Sequence, residues 1–190
     1  MLIRKLALAS LLLMPASSGA SAAATAPDTS VLEFLGFRAG ARLDELALHL
    51  RGLGGSRLHC RRSRVDTRVS ECRAALHQPQ LGGPVELWVS AMDSLAGVIT
   101  LSGVLAPGRL EQWREVLETR YGRVGSRSQG AQSMLQWVRR GRMIRLTWRL
   151  ERGEDVASVS LVDGHVLDGW GRSRARKSTD STAQPVSRTR

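Results

Sequence analysis

From Arg142 to Leu150 the pattern alternates: Ile144, Leu146 and Trp148 fall on one side, Arg145, Thr147 and Arg149 on the other. A period of two is the mark of a strand with one buried and one open face. Similar strand-like stretches occupy Arg57–Arg64, Val69–His77, Val85–Met92, Gly97–Leu105, Met134–Arg139 and Val156–Asp163. Turn signals separate several of them: Gly82-Gly83-Pro84, Asp93-Ser94, Arg140-Gly141 and Arg152-Gly153. Short strands joined by tight turns pair antiparallel, so the chain is constrained first of all to a sheet.

Two segments break the pattern. Leu43, Leu46, Leu50 and Leu53 recur at helical spacing, with Asp44 and Glu45 at the start and Gly52, Gly54 and Gly55 at the end. Leu110, Trp113, Leu117 and Tyr121 form a second apolar stripe from about Gly108, stopped by Gly122. Both are amphipathic helices with suitable ends. Val31–Phe37 reads as a strand ending at Gly40, and Gly125–Ser133 as a flexible loop. Together these elements predict an α+β domain: an antiparallel sheet with two amphipathic helices packed on one face. Sliding the chain by 67 residues lays Arg42-Leu43-Asp44 on Arg109-Leu110-Glu111 and Gly55 on Gly122. The match suggests two tandem helix-plus-strands repeats, 31–105 and 106–163.

The termini read differently. Met1–Ala26 has Arg4 and Lys5, an apolar run from Leu6 to Met14 and a small-residue site at Ala20-Ser21-Ala22, the layout of a secretory signal. Residues 27–170 then form one domain. Residues 171–190 carry six basic side chains against Asp180 and almost nothing apolar, which predicts a disordered basic tail. The expected location is periplasmic or secreted, with no transmembrane segment in the mature form. In that oxidising setting Cys60 and Cys72, on neighbouring strands, are expected to form a disulfide across a hairpin.

At the level of pattern, Phe34-Leu-Gly36-Phe-x-x-Gly40-x-x-x-x-Glu45, the stripe Leu110 to Tyr121-Gly122, and Trp137 on the following strand resemble small exported bacterial α+β domains. The arrangement is also similar to the beta-lactamase inhibitor protein and, more loosely, to outer-membrane assembly lipoproteins of the BamE type. It departs from the latter in lacking a lipidated cysteine. The resemblance implies a binding module and carries over no catalytic residue.

The chain has 28 Lys plus Arg against 17 Asp plus Glu, a net charge of +11. Only two of the basic residues are Lys, and Asn is absent, a skew that weakens any step from arginine abundance to phosphate binding. The sequence contains no Gly-x-Ser-x-Gly elbow, phosphate-binding loop or His-Glu-x-x-His motif. His49, His59, His77 and His165 are scattered; His49 sits beside the apolar stripe, and His59 and His77 can face opposite ways. Asp163-Gly164-His165 with Asp168 reads as a tight turn rather than a cation site. No cofactor or metal is called for.

Two basic groups are candidates for binding. Arg145 and Arg149 project from the open face of the sheet, with Ser158 and Ser160 as neighbours; Arg61, Arg62, Arg64 and Arg68 belong to the cysteine hairpin. Most of the tryptophans belong to the core by spacing, and Trp170 is placed as a lock on the C-terminus. The expected function is a non-catalytic binding module of the cell envelope that engages a protein across the open sheet face. The alternatives are a binder of anionic envelope polymers and a hydrolase acting through His59 or His165. Nucleic acid is not expected, since the hairpin lacks interleaved aromatics.

Overall fold

The computed structural model describes residues 31–78, 81 and 83–169. The signal segment, the basic tail, Trp170 and Gly82 lie outside the described residues. Residues Glu33–Phe34 (β1) and Phe37–Arg38 (β2) form a minimal hairpin that leads into helix α1, Leu43–Gly52. Four strands follow: β3 His59–Arg62, β4 Val69–Gln78, β5 Gly83–Met92 and β6 Leu95–Leu105. Helix α2, Arg109–Tyr121, precedes four more: β7 Arg127–Gln129, β8 Gln132–Arg139, β9 Arg142–Glu151 and β10 Glu154–Asp163. Residues 164–169 make a short terminal helix.

These eight strands lie in a single antiparallel sheet, ordered β3-β4-β5-β6-β10-β9-β8-β7. Each group of four is a meander, and the groups meet where β6 pairs with β10 over eight residue pairs, from Asp155 opposite Leu105 to Val162 opposite Val98. The hairpins β1–β2, β5–β6, β8–β9 and β9–β10 turn within two residues. Leu35, Asp93, Ser94, Arg140 and Arg152 accept positive φ there, the conformation that matches the twist of the strands.

The expected α+β architecture is overturned. Strand accounts for 52% of the described residues and helix for 22%, and one broad sheet dominates. The reason lies in the lengths: glycines end the helical segments after 10 and 13 residues, while tight turns let strands of eight to eleven residues follow one another directly. The helices are covers on a sheet, not a layer equal to it.

One face of the sheet supplies most of the core. Cys72, Leu76, Leu87, Val89, Ile99, Leu101, Leu135, Ile144, Leu146, Val159 and Leu161 are buried on it. They cluster with Phe34 and Phe37, with Leu46 and Leu50 of α1, and with Leu110, Trp113, Leu117 and Tyr121 of α2. Phe34 meets Trp113 edge to face at 5.1 Å, which joins the first hairpin to the second helix. His49 is packed: its Nε2–H donates to the Leu35 carbonyl at 2.8 Å and its ring stands edge-on to Phe37. That ring lies beneath Gly36, where a Cβ would come within 2.5 Å of it.

The sequence reading misses β1, β2 and β7. Val31–Phe37 is not one strand but a hairpin bent at Leu35-Gly36, and the loop assigned to Gly125–Ser133 contains β7 and the start of β8.

Candidate binding face

Residues out of phase with the core line the opposite face, which no described element covers. Strand pairing aligns them in rows. The central row runs His59, Arg73, Trp88, Thr100, Ser160, Arg145 and Gln136, one residue from each strand β3 to β8. With strands about 4.8 Å apart, Arg73 and Arg145 stand roughly 19 Å from each other, with an indole and two hydroxyls between them. A parallel row holds Glu86, Ser102, Ser158, Thr147 and Met134, and another holds Ser90, Val98, Val162, Met143 and Val138.

Trp88 is the aromatic of this face. The sequence reading puts most tryptophans in the core, and Trp113 and Trp137 are there, but Trp88 is 43% exposed because Leu87 and Val89 take the inward positions. Its ring is fixed on two sides: the Arg73 guanidinium stacks on it, 3.7 Å from the ring centroid, and its Nε1–H donates to Glu86 at 3.2 Å. Arg73 comes from β4, so the other ring face turns toward β6. There Trp88, Ser90, Val98, Thr100 and Ser102 line a shallow concavity of about 390 Å³.

Four of the hydroxyls that floor the face are paired with one another. Thr100 and Ser160 are 3.0 Å apart, and Thr147 and Ser158 are 2.7 Å apart. Each such pair holds one rotamer and still has lone pairs to offer.

The four proposed binding residues share this face, with unequal roles. Arg145 is half-buried opposite Ser160; its Nε and Nη2 donate to the Gln136 carbonyl oxygen at 3.1 and 2.9 Å. The partner is a neutral amide, and no ion pair to Arg145 is found among the described residues. Arg149 is exposed at the rim and its charge meets Glu151 at 2.6 Å. Ser158 sits opposite Thr147, not beside either arginine in the pairing.

Cys60 and Cys72 form a disulfide between directly opposed residues of β3 and β4. The arginines around it diverge. Arg61 is on the open face opposite Glu71, Arg62 points to the other side of the strand, Arg64 is in the turn, and Arg68 is held by the Asp66 carboxylate at 2.7 Å.

The histidines do not converge. His59 and His77, which from sequence could face opposite ways, share the open face but sit at different rows. His165 lies near the Arg140 carbonyl at the other end of the molecule's chain order, 3.3 Å from it. Asp163 is not part of a turn: its Oδ1 accepts from the amides of His165 and Val166 and so caps the helix 164–169. Among the described residues no group of three His, Cys, Asp or Glu side chains could hold a metal ion, and no helix is long and apolar enough to cross a membrane.

The concavity and the Arg73–Trp88 stack are what sequence reasoning overlooks. Their signal is nonetheless present: Glu86, Trp88 and Ser90 alternate with Val85, Leu87 and Val89, which puts the indole on the polar side.

No family model matches the chain, and neither a curated protein nor a solved structure matches it.

Proposed function

We propose that the protein is an exported, non-catalytic binding module that engages a protein partner through the open face of its sheet. The observation that carries this reading is Trp88, a large indole held half-exposed by Arg73 and Glu86 at the edge of a concavity. Keeping such a ring rigid before binding lowers the entropy lost on association, and Trp and Arg are the residues most enriched at the centres of protein interfaces. The charges on this face are mixed: Arg73 and Arg145 share it with Glu71 and Glu86, and Glu151 neutralises Arg149. That mixture suits the varied surface of a folded partner better than a polymer of one sign. The secretory layout of Met1–Ala26 and the disulfide support an envelope or extracellular setting. The pattern-level resemblance to exported binding modules points the same way.

The test is capture from an envelope extract by the wild-type protein and by Trp88→Ala and Arg145→Ser variants. The reading expects a protein retained by wild type and weakened by about 2 kcal/mol or more on loss of the indole. Loss of the Arg145 contact should cost roughly 1.5–3 kcal/mol. Retention of the same proteins by all three would sink it.

A further inference from the structure

The cationic excess of the described residues is concentrated in one hairpin. Residues 57–73 hold six arginines against Asp66 and Glu71, whereas the remaining described residues hold fourteen basic and thirteen acidic side chains. Asp66 is engaged within the loop: its carboxylate accepts from the backbone amide, Nε and Nη2 of Arg68. Arg61, Arg62 and Arg64 are exposed, and no ion pair to them is found among the described residues.

At the turn of this hairpin stands Val65, 84% exposed and the most exposed large apolar side chain of those described. It is held out by an ordered loop. Ser63 Oγ accepts from the amides of Val65 and Asp66 at 3.2 and 3.4 Å, the Ser63 amide donates to the Val69 carbonyl, and the Val69 amide donates to the Asp66 carbonyl. The Cys60–Cys72 bond closes the base of the hairpin. A valine this exposed gains nothing for the fold. A loop so bonded does not collapse to hide it.

We infer that this hairpin is a contact for a lipid surface, in which Val65 enters the interfacial layer of a bilayer while Arg61, Arg62 and Arg64 bind the phosphates of anionic headgroups. The placement of the arginines selects this occupant. Arg61 and Arg62 point to opposite sides of β3 and Arg64 lies in the turn, so the cations fall on both faces of the hairpin behind its apolar tip and form no strip along one side. A linear polyanion or a partner docking from one side would meet only part of them. A surface that is anionic in every direction around the tip meets all three, and it also gives the valine an apolar medium.

Flotation with vesicles of phosphatidylcholine, with and without phosphatidylglycerol, tests the inference on the full chain at low and physiological salt. Wild type should bind the vesicles that contain phosphatidylglycerol, and more weakly as salt rises. Each arginine near an anionic surface is worth about fivefold, so R61S/R62S/R64S should lose roughly a hundredfold. Val65→Ser should lose roughly tenfold on vesicles and keep its retention on heparin unchanged, since only insertion uses the methyl groups. All four substituted positions are solvent-facing, so melting temperatures should stay near wild type and confirm that the variants are folded. Wild-type vesicle binding by the triple variant would place the attraction elsewhere in the chain and overturn the inference. A Val65→Ser variant that binds vesicles as wild type does, or that loses heparin and vesicles equally, would overturn it too and mark a soluble polyanion or acidic protein as the partner.

Discussion

Asp163 is the only charged side chain buried among the described residues, 2% exposed, and three groups hold it there. Arg142 Nε donates to its Oδ2 at 2.8 Å, and the His165 and Val166 amides donate to Oδ1. Gly40 packs so closely that a Cβ would come within 2.6 Å of Oδ2. Burial pushes the carboxyl pKa up, but Arg142 and the two amides outweigh it and leave it below its ordinary value of 3.8. A carboxyl depressed in the folded state contributes its stability above the unfolded pKa and loses it as pH falls through the folded one. Asp163→Ala should therefore cost about 2–3 kcal/mol at neutral pH, and its stability should decline less than that of wild type as pH drops below about 4. Urea titrations across that range check both parts; parallel acid limbs would mean that the ion pair is energetically silent. The sequence reading makes Asp163-Gly164 a turn because the helix after it is six residues long, too short to show a period. Cap and turn use the same residue types.

At the scale of elements, the C-terminal end of α2 is tied to two strands. The Tyr121 hydroxyl accepts from the Glu33 amide at 2.8 Å and donates to the Glu33 carbonyl at 2.8 Å, which anchors β1. The last carbonyl of the helix and that of the cap after it are met by β8: Arg139 donates to Tyr121 O at 2.9 Å and Trp137 Nε1–H to Gly122 O at 2.7 Å. Tyr121→Phe removes one atom and leaves two backbone groups unpaired, so it should destabilise by about 1–2 kcal/mol in thermal or chemical melts. The Cys60–Cys72 bond acts on an edge strand. Replacing both cysteines by Ala should cost about 3 kcal/mol, and hydrogen exchange should show faster opening in β3 well before the central strands. Helices and long strands were legible because stripes and alternation repeat often enough to read. The hairpin at Leu35-Gly36 was not, since its two strands hold two residues each and take their pairing from the core beneath.

Across the whole molecule, the seam between β6 and β10 joins residues at least fifty positions apart in sequence. Turn signals report only which neighbours in sequence pair, so a local reading predicts an antiparallel sheet but not the β6–β10 contact that joins the two groups of four into the eight-stranded order. The seam also makes the two groups of four strands interdependent. Ile99 and Leu101 of β6 share a core with Val159 and Leu161 of β10. Expressed alone, residues 31–105 or 106–169 would expose that apolar surface and an unpaired strand edge. Neither fragment should give a cooperative melt, and mixing the two should restore one. A cooperative, monomeric fragment would show that each half is self-sufficient.

Trp113 and Trp137 are sealed in the core, whereas Trp88 looks onto the concavity with one ring face. The protein therefore carries its own optical gauge. Indole emission shifts to shorter wavelength as water is removed, and a collisional quencher reaches only rings that solvent can touch. An occupant of the open face would dry and shield Trp88 while leaving the interior rings unchanged. The difference between wild type and Trp88→Phe would isolate that signal, so the face can be titrated without a label and before its occupant has a name.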